Sequence, residues 1–363
     1  MAIVDKLFSL KEITSSKLSK NNLETYSLLW LDSLVDCKEN IDAQVKLRSS
    51  INHLAVFKET DQCEQHIQSL SQQDRAVLIV NNSLGQQLVP RIHQFRQIVS
   101  IFIYCKDQEE YQQWTKSFSK IKSIIVQLDE LITQIQSGQI RRVQNKVDEP
   151  ISINIFNMNI DYGQSTGKLN GEFVHSQLLI DSLLRMKSSA TDKNDLVSLC
   201  RKEYYDNNTQ LGIVQEFEEN YSSDRSLWWY TKETFLYRLL NKALRVQNID
   251  LLFLFRFFIR DIERELNQHR CLTSLLLYRG QLMSNKELQV LKDSIGQLIS
   301  MNSFLSTSIN RSLATFYLGE STVNDDLQKV LFEIDADCTR QGVKPFANIS
   351  LLSTNDVGIN LPN

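Results

Sequence analysis

The residues best suited to chemistry lie late in the chain. Arg279, in Tyr278-Arg279-Gly280-Gln281, falls at the end of a predicted strand, where its guanidinium offers phosphate a planar fork of donors. Some 25 residues on comes Asn302-Ser303-Phe304-Leu305-Ser306-Thr307-Ser308, a strand-like run with three consecutive hydroxyls. Taken singly, each stretch has an ordinary reading. Tyr-Arg-Gly is a strand entering a turn, and a serine-threonine run is a solvated strand face.

Other candidates are weaker. The stretch Gly163-Gln164-Ser165-Thr166-Gly167-Lys168 is one residue short of a phosphate loop, and Leu169 stands where Ser or Thr would bind magnesium. No G-x-G-x-x-G follows a predicted strand, so the glycine turn of a dinucleotide fold is missing. Asp32, Gly85 in the predicted loop Asn81–Gln87 and Lys106-Asp107 are read as the polar residues that any α/β fold carries at its strand ends. A receiver-type phosphorylation site would need an acidic cluster and a lysine converging on Asp32. Glu216, Glu218 and Glu219 fall on a predicted helix surface, and Glu333 on a predicted structural strand. The six cysteines, at 37, 63, 105, 200, 271 and 338, include no C-x-x-C pair, which predicts reduced, buried thiols and no metal site.

The elements that would position these residues fall into two blocks. Between Leu23 and Ser137, apolar runs at 27–32, 53–59, 75–81, 98–105 and 122–129 alternate with amphipathic segments such as Asn40–Ile51, Thr60–Leu70 and Gln108–Phe118. Continuous apolar runs between helices predict a parallel sheet covered on both faces. The first block is therefore expected to be a doubly wound α/β domain of flavodoxin-like or receiver-like order, over residues 1–138. Residues 139–171 read as a linker with an extra strand or hairpin inside it. From Phe173 to Gln268 apolar residues recur every three or four positions, predicting four or five helices, and Ser223-Asp224 is a plausible start for one of them. Strand-like texture returns after Arg270, so residues 172–363 are expected to form an α+β domain, helical over 172–268 and β-rich over 269–363.

Composition narrows the classes. With 40 Lys and Arg against 43 Asp and Glu in 363 residues, the chain lacks the basic excess expected of a nucleic-acid binder. The most apolar run, Asp250–Ile259, holds Arg256 and is shorter than the roughly 20 residues a bilayer requires, so no membrane attachment is expected. Charged residues at 5, 6, 11 and 12 interrupt any signal-peptide core, and a cytoplasmic location is expected.

The order and spacing of Tyr278-Arg279-Gly280-Gln281 and Ser303-Phe304-Leu305-Ser306-Thr307-Ser308 resemble the arginine-directed mono-ADP-ribosyltransferases with R-S-E motifs. The helical stretch 227–245 is similar to the helix preceding that family's catalytic sheet, and the runs 331–337 and 344–350 resemble its later strands. The resemblance covers about 190 residues, from near Phe173 to the C-terminus. It implies an ADP-ribosyltransferase fold, NAD as substrate, no metal, and transfer of ADP-ribose to a protein arginine with release of nicotinamide. Arg279 and Gly280 would lie at the pyrophosphate, Ser306 at the nicotinamide ribose, and Thr307 and Ser308 would support the strand. Phe316 and Tyr317, on the helix that follows, are expected to pack rather than wall a pocket.

The family's third element, E-x-E, is altered. Anchored on Ser350 and Pro362, its two glutamates fall on Asn355 and Val357, and a shift of one residue brings Asp356 under one of them. Asp356 is thus the substitute acid, one methylene shorter than glutamate and followed closely by Gly358; the sequence also ends where the family continues into one more strand. Loss of one preorganised electrostatic group costs about 10²–10³ in rate. The implied activity is therefore impaired, and the alternative is a module that binds NAD or a protein without turnover. The N-terminal domain is expected to bind a regulatory protein.

Overall fold

A computed structural model describes residues 22–49, 51–105, 112–145, 150–156, 170–187, 189, 191–232, 234–318, 327–340, 344, 346–350, 352 and 359–361. The chain divides into two compact units, Met1–Gln144 with Glu203–Leu211, and Asn145–Lys202 with Gly212–Asn363.

In the first unit all five expected strands form: β1 (Tyr26–Leu31), β2 (Leu54–Phe57), β3 (Arg75–Asn81), β4 (Ile98–Tyr104) and β5 (Ile121–Ile125). They pair in parallel in the order β2-β1-β3-β4-β5, the flavodoxin order. The strands are mostly apolar because side chains alternate between two covered faces. Leu28, Trp30, Val77 and Ile79 pack with Ala43 and Leu47 of α1 (Lys38–Arg48) and with Leu131, Ile132 and Ile135 of α5 (Leu128–Asn145). On the opposite face, Leu29, Leu31, Leu78 and Val80 meet Cys63 and Ile67 of α2 (Thr60–Ser69) and Leu88, Val89 and Ile92 of α3 (Asn82–Ile92). The short α4 spans Gln112–Thr115; Lys106 and Asp107 lie outside the described residues.

Gly85 departs from the loop expected of it. It is a buried position inside α3, whose N-terminus is capped by the Asn81 side chain accepting from Leu84 N at 3.0 Å. A Cβ at Gly85 would meet Val80 Cγ1 at 3.3 Å and Ile103 Cδ1 at 3.4 Å, so the glycine lets the helix lie close on the sheet.

The first unit also holds a distant piece of chain. Tyr204 is fully buried and donates its hydroxyl to the buried Glu24 carboxyl at 2.6 Å. Asn207 donates to the Arg48 carbonyl at 2.6 Å and to Asn52 Oδ1 at 3.2 Å, while Asn52 returns a bond to the Glu203 carbonyl at 3.2 Å.

The second unit opens with β6 (Ile153–Phe156), the strand expected within the linker, which pairs antiparallel with β8 (Leu298–Met301). Its helices are α6 (Gly171–Arg185), α7 (Asp192–Glu203), α8 (Asn208–Asn220), α9 (Ser226–Thr231), α10 (Phe235–Val246) and α11 (Ile249–Gln268). Phe217 anchors an aromatic core, edge-on to Trp229, Phe235 and Phe258 at centroid distances of 5.2, 5.9 and 6.4 Å. The stretch 227–245, likened above to a single helix, is broken between α9 and α10. There Thr231 Oγ1 turns back to the Leu227 carbonyl at 2.9 Å, and Lys232 leaves the helix to bind both oxygens of Glu216. The start of α9 is held by the buried Glu265, which accepts from Ser226 Oγ and from Leu227 N at 2.7 Å. Arg256, inside the most apolar run, is buried and paired with Asp192 at 2.5 Å. No helix among the described residues is long and apolar enough to cross a membrane.

The strand-rich part holds β7 (Leu275–Ser284), α12 (Asn285–Asp293), β8, β9 (Leu305–Thr307), α13 (Arg311–Tyr317), β10 (Leu327–Ala336), β11 (Ala347–Asn348) and β12 (Ile359–Leu361). The strand-like reading of this region omits α12, although Ser284 and Glu287 form a complete capping box at its start. β7 and β10 pair antiparallel over ten residues each. Phe316 stands 76% exposed rather than packed in a core. Of the six cysteines, Cys37 is exposed and Cys271 and Cys338 half-buried, so only three are the buried thiols expected.

Two predictions follow from this packing. Replacing Tyr204 with Phe takes the hydroxyl from a buried carboxyl and is expected to lower the stability of the first unit by roughly 1.5–3 kcal/mol in urea unfolding. In the second unit, Asp337 just after β10 accepts from Thr339 Oγ1 and N at 2.7 and 2.9 Å, and from Ser274 Oγ just before β7 at 3.1 Å. These bonds, led by the Thr339 hydroxyl, hold its carboxyl down at about 2. Because the folded value is depressed, the stability it contributes is present above the ordinary carboxylate range and is lost as pH falls towards 2. Thr339→Val should move the Asp337 titration upward in carboxyl-resolved NMR.

Candidate functional site

The carboxyl edge of the five-stranded sheet is where ligands of this topology sit. Asp32 ends β1 there and is buried, accepting from Leu34 N at 2.9 Å, Asn81 Nδ2 at 3.1 Å and Asn40 Nδ2 at 3.5 Å. Asn81 ends β3 beside it and caps α3, so this carboxylate ties two strand ends and α1 together. Tyr104 closes β4, its phenol held above its ordinary value by desolvation first and then by Glu39, Asp32 and Cys37. The Asp32 bonds are all to amide donors, and the residue is a structural tie.

In the second unit, Arg279 sits in the middle of β7 rather than at a strand end. Leu277, Arg279, Gln281 and Met283 leave the strand on one face, and three of the four, Leu277, Gln281 and Met283, are buried. Gly280 faces the other way, and a Cβ there would stand 2.3 Å from the Ala314 carbonyl oxygen and 2.8 Å from Leu318 Cγ. Gly280 is thus no turn residue; its missing side chain admits α13 against β7. Asn310 caps α13 by accepting from Leu313 N at 3.2 Å.

β9 runs beside β7. Tyr278 and Ser308 exchange both backbone bonds, at 2.7 and 2.8 Å, which brings the two motifs together across 30 residues of chain. Arg279 Nη1 then donates to the Ser306 carbonyl at 2.9 Å, and Nη2 to Gln281 Oε1 at 3.1 Å. Thr307 is buried, and Ser308 Oγ accepts from Asn310 N at 3.0 Å, steering the chain from β9 into α13. Phe304 meets Tyr230 of α9 at 5.2 Å between ring centroids, which braces the start of β9 against the aromatic helices. On its other edge β9 pairs antiparallel with β12, Ser306 opposite Asn360. Asn355, Asp356 and Val357 precede β12 and lie outside the described residues.

The structure thus brings Arg279 together with Ser306, Thr307 and Ser308. The E-x-E of Glu216 and Glu218 is spent elsewhere, on Lys232 and Arg201, and Glu219 accepts from Gln215. Glu333 is exposed on β10 opposite Tyr278. Gln281 is the residue to which sequence reasoning gave no role; its spacing of two from Arg279 on a strand was the available signal. A small cleft bounded by Ser176, Gln177, Ile180, Leu244, Gln247 and Asn302 includes neither Arg279 nor Ser306. Among the described residues no group of three or more His, Cys, Asp or Glu side chains could hold a metal ion.

No family model matches the chain, and no curated protein matches it either. The site geometry yields one prediction of its own. Gly280→Ala forces a methyl against a backbone carbonyl and is expected to cost about 1–3 kcal/mol of stability in the second unit, read as a lowered midpoint in urea unfolding.

Proposed function

We propose that the second unit binds NAD and transfers ADP-ribose to protein arginine, with activity reduced by the altered third motif. The observation that carries this reading is the juxtaposition of Arg279 with the Ser306-Thr307-Ser308 strand, at 2.9 Å from Nη1 to the Ser306 carbonyl. A guanidinium held by neutral oxygens keeps its positive charge for the dianionic pyrophosphate. Gly280 contributes by letting α13 approach the strand that bears Arg279.

In the reaction, the bond between ribose C1′ and the nicotinamide nitrogen breaks with its electron pair leaving on nicotinamide, and the sugar passes through an oxocarbenium-like state. A guanidino nitrogen of the acceptor then attacks C1′ and loses a proton. Ser306 hydrogen-bonds the nicotinamide ribose, Thr307 and Ser308 hold the strand, and Asp356 is the acid available to stabilise the cationic sugar. The reaction needs no metal. In this reading the protein acts in the cytoplasm on a protein acceptor, and the first unit binds a regulatory protein.

A second reading rests on Asn355 and Val357 at the family's glutamate positions: the unit holds NAD, or a protein partner, without turnover. The test is nicotinamide release and transfer of labelled ADP-ribose to a small guanidino acceptor by the 363-residue protein, beside Arg279→Ala. Transfer that falls at least tenfold in the variant supports the transferase. NAD binding without transfer supports the second reading, and absence of both overturns the NAD assignment.

A further inference from the structure

Gln281 is wholly buried in the middle of β7, a costly place for a carboxamide unless its hydrogen bonds are made. Its Oε1 accepts from Arg279 Nη2 at 3.1 Å, while Nη1 of the same guanidinium is taken by the Ser306 carbonyl at 2.9 Å. Both terminal nitrogens are therefore pinned, and rotation about the Nε–Cζ bond would break two bonds at once. Both acceptors are neutral. Among the described residues no carboxylate pairs with Arg279, and its buried Nε has no hydrogen-bond partner there.

Arg256 in the same unit shows the contrast. It is buried where Arg279 is half-buried, and Asp192 binds its Nη2 at 2.5 Å, so its charge is compensated within the protein. Only two of the five N–H donors of Arg279 are engaged by the acceptors named above. A glutamate at position 281 would have nearly the same shape and would accept the same bond, yet it would cancel the charge.

We infer that Gln281 is the positioning residue of the Arg279 site: it fixes the guanidinium while leaving its full positive charge for an anionic ligand, of which the diphosphate class fits best. The diphosphate assignment rests on the reading of Arg279 as the pyrophosphate ligand; the pinning of Arg279 by Gln281 does not.

The experiment uses the full chain with ¹⁵N-labelled arginine, the Arg279 signal being identified by its loss in Arg279→Ala. Slow rotation about Nε–Cζ is expected in the unmodified protein, and fast rotation there overturns the inference without any variant. Gln281→Leu should speed rotation and weaken ADP binding by about tenfold, as expected for one lost charge-assisted bond. Gln281→Glu should keep rotation slow yet weaken ADP binding by at least tenfold, the signature of a cancelled charge that a purely packing role would not produce. Unchanged rotation in Gln281→Leu, or undiminished ADP binding in Gln281→Glu, overturns the inference. If the unmodified protein binds ADP but not NAD, the NAD reading falls and the positioning role stands; if rotation is slow but neither nucleotide binds, the diphosphate assignment falls.

Discussion

The second unit is organised by a steric constraint at one atom position. A Cβ on residue 280 would overlap a backbone oxygen of α13, so the helix lies on β7 only because that residue is glycine. With α13 seated there, Asn310 and Ser308 at its entrance are drawn to the strand, and the Tyr278–Ser308 bridge can close. That bridge sets the Ser306 carbonyl against Arg279. The candidate site is thus a by-product of how closely a helix can approach a strand.

The first unit follows a different logic. Its sheet is covered on both faces, and at the carboxyl ends of β1 and β3 a buried carboxylate is satisfied by one backbone and two side-chain amides. Each lone pair spent on loop geometry is one fewer for a ligand. The same accounting of donors and acceptors separates the buried Arg256 from the half-buried Arg279 of the second unit: Arg256 is neutralised by Asp192, whereas Arg279 is oriented by a carbonyl and a carboxamide. Burial of a guanidinium is tolerable in either way, but only the second leaves charge for a partner.

Much of this architecture is legible from the chain alone. The five parallel strands are mostly apolar runs, and α10 and α11 repeat apolar residues at helical spacing, because such patterns are properties of neighbouring residues. The surface role of Glu216 and Glu218 was readable for the same reason, since it needs only a helix and nearby cations. Where local signals compete, the reading slips. Gly85 looks like a loop residue and Gly280 like a turn residue, yet each marks a close approach between a helix and a strand. At the break, Lys232 pairs with Glu216, a residue of another helix.

The sequence by itself determined the α/β order of the first unit and the motif residues of the second, because both are written in short-range pattern. Tertiary structure alone decided that Arg279 lies mid-strand, that Gln281 and the Ser306 carbonyl hold it, and that Tyr204 fills the first unit against Glu24 from 180 residues away. Contacts between distant residues are selected by packing and by the need to pair every buried donor. No periodicity along the chain encodes that selection.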